Sequence, residues 1–79
     1  VKLRDFAVHE RSWCADRTLV ETGLRARTGV MALRLARAGG KAVVPAPDAR
    51  LAAGDRLTLF GGPDELEAAR RLLADGPGQ

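Results

Sequence analysis

The chain has 79 residues, a formal net charge of +3 and few aromatic side chains: two phenylalanines, one tryptophan and no tyrosine. This length allows one small domain, and because so short a chain buries only about 60% of its unfolded surface, it favours an oligomer or a piece of a longer protein. Three aromatic residues are too few to form a platform on which the bases of single-stranded nucleic acid could stack. The basic residues also do not fall on a predicted recognition helix. We therefore expect no nucleic acid among its partners.

The N-terminal part of the chain predicts a strand followed by a short helix. Residues 3–10 place apolar and charged side chains on opposite faces, as in a strand with one buried side. A loop over residues 11–17 follows. Thr18 and Glu21 then have the spacing of a capping box, which predicts that a helix begins there and ends at Gly23.

The middle of the chain predicts a β-hairpin. Residues 30–38 are the clearest strand of the sequence. Residues 39–40, two glycines, predict a two-residue turn because glycine accepts the positive φ that such turns need. Residues 41–44 form the predicted return strand, which ends at Pro45 and Pro47 because proline cannot donate a hydrogen bond to a sheet ladder.

The C-terminal part predicts a strand and then a longer helix. A turn over residues 53–55 precedes a strand over residues 56–61, in which Leu57 and Leu59 face the core. Pro63 suits the first turn of the following helix, since its missing N–H would be unpaired there in any case. Four apolar residues at helical spacing form the buried stripe of this helix: Leu66, Ala69, Leu72 and Leu73.

The order of these elements predicts the fold class. Strand, helix, three strands and helix, or β-α-β-β-β-α, indicate an α+β domain with a small mixed or antiparallel sheet of about four strands and two helices. Residues 75–79 contain two glycines and a proline, and we expect them to form a frayed tail.

The sequence predicts no catalytic residue and no metal site. His9 is the only histidine and Cys14 the only cysteine, whereas a structural zinc site needs about four such ligands. A nucleophile–histidine pair would have to use His9, which lies near the end of a predicted strand. Residues 61–63, Gly-Gly-Pro, precede a predicted helix but lack the lysine and the spacing of a P-loop. We therefore expect a protein that is not an enzyme.

Compartment and membrane signals favour a cytoplasmic location. A single unpaired cysteine forms no intrachain disulfide and suits a reducing compartment. Residues 1–10 are charged from the start, unlike a signal peptide. The most apolar stretch, residues 30–38, is interrupted by Arg34 and Arg37, whereas a membrane span needs about 20 apolar residues. Any link to a membrane is therefore expected through another part of a parent chain.

The positive charge is concentrated in one central stretch. Between Glu21 and Asp48 there is no acidic residue, while the rest of the chain carries eight basic and ten acidic residues. Arginine dominates, and its planar guanidinium suits forked recognition of phosphate or carboxylate. Five basic residues lie in this stretch: Arg25, Arg27, Arg34, Arg37 and Lys41.

An ordered series of turns and strands resembles a known family across most of the chain. The series comprises Thr18-Leu19, residues 23–30, Gly39-Gly40, Val43-Val44-Pro45, Asp48, Leu51, residues 54–57 and residues 59–61. It is similar to the TrkA-C domain, the C-terminal lobe of RCK-type regulators of potassium conductance, which also occurs on cation/proton antiporters and other transporters. The resemblance implies one regulatory domain over residues 3–74.

The resemblance also implies partners and a ligand. Such a lobe is a cytosolic homodimer that binds small molecules and passes the signal to a membrane-embedded channel, uptake system or antiporter subunit, in some cases within the same polypeptide. In several relatives the ligand is cyclic di-AMP, so the implied ligand is this or another anionic nucleotide, held in a groove between two protomers. The positions that line this groove are implied to be Leu24, Arg25, Ala26, Arg27, Gly29, Val30, Met31, Ala32 and Pro45.

The sequence departs from the family pattern at three places, one of which is Arg34, where the family usually has a small residue. Relatives that bind cyclic di-AMP tend to have an asparagine at the position of Met31, so this chain lacks one hydrogen bond to a base edge. The usual Ser-Pro-Leu before the first helix is here Ser-Trp-Cys, over residues 12–14. A different loop conformation is expected there.

Two functional hypotheses remain open at this point. The first is that the domain binds an anionic ligand: in a dimer the basic stretches of two copies approach each other, and a bound anion between them would relieve their repulsion. The alternative reading of these arginines is that they are solvated, or that they pair with Glu21, Asp48 or acids of the other protomer. The second hypothesis is a purely structural dimerisation module without a ligand. Val30, Met31 and Leu33 would then be its apolar contacts.

Overall fold

A computed structural model describes residues 1–78 of the chain. Seven elements follow in chain order: β1 (Lys2–Ala7), α1 (Leu19–Thr22), α2 (Leu24–Thr28), β2 (Met31–Ala36), β3 (Ala42–Val43), β4 (Arg56–Gly61) and α3 (Pro63–Asp75). The predicted α+β class and the sheet of four strands are confirmed, and all the strand pairs are antiparallel. The sequence did not predict α2, a single turn beyond the end of α1.

The strand that comes last in the sequence lies in the middle of the sheet. The strand order is β1-β4-β2-β3, so β4 pairs with both β1 and β2. Leu57 lies opposite Phe6 on one side and opposite Leu35 on the other. The pairing of β2 with β4 shifts by one residue between Ala32 and Arg34, which makes Leu33 a bulge.

The helices cover one face of the sheet and enclose the core. Leu57 and Leu59 of β4 face this core, as predicted, and are 0% and 2% exposed. The predicted stripe of α3 is buried in full. The core consists of Val8, Cys14, Leu24, Val30, Leu35, Leu51, Leu57, Leu59, Leu66, Ala69, Leu72 and Leu73. Burying each of these leucines contributes about 1.5–3 kcal/mol relative to exposure, before the entropy cost of ordering.

Loop residues 11–17 close the C-terminal end of α3. The carbonyl oxygens of the last helical turn have no partner within the helix. Here Leu73 O accepts a hydrogen bond from the Cys14 N–H and Ala74 O from the Trp13 N–H, both at 3.0 Å. The loop is therefore attached to the helix by its backbone, and the Cys14 side chain fills a place in the core.

The hairpin between β2 and β3 is longer than predicted. Ala36 pairs with Ala42, so the connection has five residues, 37–41, and the predicted two-residue turn at Gly39-Gly40 is wrong. Arg37 lies just beyond the end of β2, and its guanidinium binds the buried Asp55 carboxylate at 2.5 Å. The predicted positive φ does occur, at Gly39 (φ 68°), where the chain turns back.

The C-terminal residues extend the last helix. Asp75, predicted to begin a frayed tail, still belongs to α3. Gly76 packs against Trp13, since a Cβ at this position would lie 2.7 Å from Trp13 Cδ1. Residue 79, also part of the predicted tail, lies outside the described residues. Within residues 1–78, no helix is long and apolar enough to cross a membrane.

Candidate functional site

A cavity of about 370 Å³ lies between the two short helices and the start of β2. We call it the α1–α2 cavity. Seven of the nine positions implied by the family resemblance line it: Leu24, Arg25, Ala26, Val30, Met31, Ala32 and Pro45. Four further residues complete the wall: Leu19, Val20, Gly23 and Pro47. Apart from Arg25, the side chains that line it are apolar.

The first wall, α1, is positioned by its predicted capping box. Thr18 Oγ1 accepts a hydrogen bond from the Glu21 N–H at 3.2 Å, and Glu21 Oε1 accepts one from the Thr18 N–H at 2.8 Å. This backbone bond lowers the pKa of the Glu21 carboxyl, with a smaller contribution from the positive charge of Arg50. The cap therefore fixes where a helix of only four residues begins.

Two glycines with positive φ mark the ends of α2. Gly23 (φ 65°) ends α1 and precedes α2, and Gly29 (φ 84°) ends it. A Cβ at Gly23 would lie 2.9 Å from Arg27 Nε. Between these points a single helical turn places Arg25 and Ala26 beside the cavity.

The opposite wall is the proline segment at residues 45–47, which is attached to α1 by hydrogen bonds. Pro47 O accepts from the Val20 N–H at 2.9 Å, and Ala49 O accepts from the Leu19 N–H at 3.1 Å. These two amides belong to the first turn of α1 and have no partner within the helix. The loop that supplies the prolines is thus the partner that completes α1.

An ion pair between the exposed Arg37 and the buried Asp55 holds the far end of the same loop. The Arg37 guanidinium donates to Arg50 O at 2.7 Å and to the Asp55 carboxylate. Asp55 is 2% exposed and also accepts from the Ala52 N–H at 2.9 Å. A buried carboxylate needs such partners, because removing it from water is costly. The ion pair therefore fixes the loop that carries the cavity wall.

The structure separates the basic residues of the central stretch. Arg25 is the one charged residue among those that line the cavity in the described chain. Arg27 lies on another surface, near Arg71 and Asp75. Arg34 pairs opposite Thr58 in the sheet, and Arg37 is bound to Asp55 rather than to the acids considered from the sequence. Of the five basic residues of the central stretch, Arg25 alone lines this cavity.

The remaining predicted positions have other surroundings. Gly29, like Arg27, does not line the cavity; a Cβ there would lie 3.2 Å from Glu65 Oε2 of α3. Val30 lines the cavity but is 0% exposed, so its side chain is not available for contact with a second copy. Of the three apolar dimer contacts considered from the sequence, Met31 and Leu33 are accessible, with exposed fractions of 41% and 38%.

The chemistry of the site is that of binding. An apolar cavity with one guanidinium can hold an anionic group at the arginine and a flat apolar group against its walls. Within residues 1–78, no group of three or more His, Cys, Asp and Glu side chains is placed to hold a metal ion. Burial raises the pKa of the Cys14 thiol to about 11, which keeps it protonated and unreactive at neutral pH.

Sequence comparison identifies one family. The model of the TrkA-C domain matches residues 3–74 of the chain. The resemblance seen in the sequence is confirmed by this match. The comparison with curated proteins finds no significant match.

Several solved structures are similar to this chain. The RCK domain of GsuK has a TM-score of 0.81 and 27% identity, covering 95% of this chain and 16% of that one. The RCK_C domain dimer of S. agalactiae BusR in complex with c-di-AMP has a TM-score of 0.77 and 21% identity, covering 95% and 91%. The RCK C domain of the potassium transport protein KtrA in complex with c-di-AMP has a TM-score of 0.78 and 21% identity, covering 89% and 80%.

The chain corresponds to a small part of some of these relatives. It spans 13% of the GsuK channel chain, with 28% identity and a TM-score of 0.79. It also matches BusR in complex with its busAB-promotor DNA, at 22% identity, with a TM-score of 0.77, covering 98% of this chain and 38% of that one. That DNA complex is a property of BusR; the absence of a nucleic-acid partner for the present chain stays a prediction.

Proposed function

The chain belongs to the TrkA-C domain family, and we propose that it is the dimerising, ligand-sensing regulatory domain of a protein that transports potassium or another cation. Its partner is then a membrane-embedded channel, uptake system or antiporter subunit, in the same polypeptide or a separate one, with the domain on the cytoplasmic side. The family match over residues 3–74 is the observation that carries this proposal. The domain's role is regulatory rather than enzymatic.

We propose the α1–α2 cavity as the ligand site, with an anionic nucleotide such as cyclic di-AMP as its ligand. Arg25 supplies a guanidinium for a phosphate, and Met31 and Pro45 supply apolar surface for a base. The volume of about 370 Å³ lies at the lower end of the about 300–1,000 Å³ that small-molecule sites have. One protomer therefore accommodates part of a dinucleotide rather than all of it.

A homodimer would supply the other part of the site. Apolar side chains are exposed at and beside the cavity: Val20 at 67%, Met31 at 41% and Val44 at 83%. Such surface favours coverage by a partner. Across a twofold axis two copies would place two cavities and two Arg25 side chains face to face, which suits a ligand with twofold symmetry of its own.

Calorimetry tests the ligand proposal. We expect heat of binding with cyclic di-AMP or another member of a panel of cyclic dinucleotides and adenine nucleotides. Arg25→Gln should weaken binding at least about 10-fold, because a hydrogen bond to a charged group contributes about 1.5–3 kcal/mol. Arg34→Gln is the matched control, an exposed arginine that does not line the cavity, and should leave the Kd unchanged. No heat with any nucleotide, or equal Kd values for the two variants, would contradict the ligand proposal.

A purely structural dimerisation module is the second candidate. The observation that favours it is the apolar lining, in which Met31 stands at the cavity wall and is 41% exposed. In this case Met31→Asp should abolish the dimer in sedimentation experiments, while the dimer of the unchanged protein should be equally stable with and without nucleotide. A bound nucleotide at 100 times its Kd would instead add about 2.7 kcal/mol of stability.

A further inference from the structure

A second cavity, of about 270 Å³, lies between β1 and α3. We call it the β1–α3 cavity. It shares no lining residue with the α1–α2 cavity. Phe6 and Leu66 belong to its apolar part, and Arg4, Arg70, His9 and Ser12 are its polar groups with hydrogen atoms to donate. A cavity with this combination of walls resembles a binding site more than a packing defect, because packing defects are apolar.

The two arginines come from facing elements. Residues 66, 70 and 74 are spaced by four, so they form one row on α3, and all three line the cavity. On β1, Arg4 lies directly opposite Leu59, and opposed residues of an antiparallel pair share a face of the sheet. Leu59 is buried under the helices, so Arg4 also lies on the helix-covered face. Arg4 and Arg70 therefore line the same cavity from facing elements.

Donors in the cavity are left without protein partners. Within residues 1–78, Arg4 forms no ion pair and no side-chain hydrogen bond, while Arg70 uses Nε and Nη2 on Glu67, at 3.2 and 2.7 Å, and keeps Nη1. Ser12 Oγ accepts from the His9 N–H at 3.0 Å, which leaves its own hydrogen to donate. Several donors, two of them charged, thus converge on one cavity.

The nearest acidic groups do not cancel this charge. Asp5 Oδ1 accepts from Thr58 Oγ1 at 2.8 Å, and its Oδ2 lies 3.9 Å from Arg56 Nη1. Asp5 is itself a lining residue of the cavity. Because successive residues of a strand alternate between faces, however, its side chain lies on the face opposite that of Arg4, as does that of Thr58, its partner in the ladder. Glu67 is shared between Arg70 and Arg71 and does not pair with Arg4. Within the described residues, Arg4 has no ion-pair partner at the cavity.

We propose that the β1–α3 cavity binds a small organic anion, with its carboxylate or phosphate between Arg4 and Arg70 and its apolar body against Phe6 and Leu66. The guanidinium fork matches either anionic group. The volume lies just below that of typical small-molecule sites, so the ligand is smaller than a nucleotide. This site is independent of the function proposed for the α1–α2 cavity, and either holds without the other.

An NMR titration of backbone amides tests this site. The probes are phenyl phosphate and benzoate, which distinguish a phosphate from a carboxylate ligand, and neutral benzyl alcohol as the control. We expect saturable shifts with at least one anion at residues 4–12 and around Arg70, and at most weak shifts with the alcohol. Shifts confined to residues around Arg25 would overturn the proposal and would point to the other cavity.

Variants make the test specific. Arg4→Gln and, independently, Arg70→Gln should raise the Kd of the anion at least 10-fold. Arg11→Gln changes an exposed arginine outside the cavity and should leave the Kd unchanged. The amide spectrum of each variant reports whether it is folded. Equal affinity for benzyl alcohol and the anions, no saturable shift, or an unchanged Kd in both cavity variants would exclude the site.

Discussion

The two cavities of this small domain are built in opposite ways. The α1–α2 cavity is formed by two helices of four and five residues and by a proline loop. The β1–α3 cavity lies between a strand of six residues and a helix of thirteen. Helices shorter than about 12 residues are not stable alone and depend on caps and neighbours. We therefore expect the walls of the first cavity to adjust more readily than those of the second.

This difference suits different tasks. Segments that move on binding come from the least stable parts of a protein, because local opening costs little there. The α1–α2 cavity is thus suited to change shape when a ligand or a second copy binds. The β1–α3 cavity is suited to bind without a change of shape. The following predictions test this contrast, from the largest expected effect to the smallest.

Leucine truncations in the two cavities should have unequal costs. Leu66 and Leu24 line one cavity each, and are 1% and 4% exposed. We expect Leu66→Ala to lower the free energy of unfolding by about 3–4 kcal/mol, because rigid walls cannot close the new space. Leu24→Ala should cost about 2 kcal/mol, since short helices can move inward. Urea denaturation measures both values; an equal or larger loss for Leu24→Ala would contradict the contrast.

Removing the Arg37 guanidinium should loosen the proline wall. Arg37→Ala leaves the buried Asp55 carboxylate without its charge partner, and we expect a loss of about 2 kcal/mol. This is below the full range for buried pairs because Arg37 is itself 43% exposed. Arg34→Ala, an exposed arginine of β2, is the control and should change stability by less than about 0.5 kcal/mol. Hydrogen exchange of the amides of residues 45–50 should become faster only in the first variant.

A side chain at Gly23 should disturb the α1–α2 junction. Gly23→Ala combines a positive φ with a close approach to Arg27 Nε, and we expect a loss of about 1–2 kcal/mol. Gly39 has a similar φ of 68° with no atom within 4 Å of a built Cβ. Gly39→Ala therefore measures backbone strain alone and should cost less. Thermal unfolding compares the two, and anion binding in the β1–α3 cavity should be unchanged in both.

Restoring a polar group at Met31 should alter ligand affinity with little effect on stability. If cyclic di-AMP binds as proposed, Met31→Asn should tighten binding about 2–10-fold, the effect of one added hydrogen bond of about 0.5–1.5 kcal/mol. Met31→Leu keeps the apolar surface and serves as the control. Calorimetry measures the Kd of cyclic di-AMP for both variants. Weaker binding by the asparagine variant would contradict the prediction and would indicate that Met31 makes a purely apolar contact.

Acid should release Arg70 beside the β1–α3 cavity. Hydrogen bonds and charge from Arg70 and Arg71 lower the pKa of Glu67 to about 2. Because the folded pKa is depressed below the unfolded value of about 4.5, this carboxylate stabilises the fold fully above pH 4.5, and the contribution is lost as the pH falls toward 2. We expect Glu67→Gln to flatten the pH dependence of stability in this window. The effect is small because the group is exposed, and an unchanged slope would contradict it.

Local signals predicted much of the fold. The strand over residues 56–61 has the predicted bounds, and the capping box of Thr18 and Glu21 forms as predicted. These features depend on neighbours in sequence. The length of the hairpin was missed, and so was the contact at its base between Arg37 and Asp55, a partner eighteen residues away. A contact of that range gives no periodic pattern, so the sequence alone does not reveal it.

The site was less accessible to reasoning from the sequence. Arg25 and Ala26 line the cavity while Arg27, the next residue of the same helical turn, does not. The helix α2 itself was not predicted, since five residues between two glycines carry too little periodicity. Pro47 lines the cavity because it is bonded to α1, and proline spacing alone does not indicate that contact.

The position of β4 in the middle of the sheet has a consequence for how the chain folds. Both β1 and β2 need β4 as their neighbour, and the Asp5–Thr58 hydrogen bond spans 53 residues. During synthesis, β1 therefore has no sheet partner, and β2 has only the two-residue strand β3, until β4 has been made. Proteins with such high contact order fold more slowly than helical bundles of the same size. Nascent chains that end before residue 56 should remain unfolded and open to proteolysis.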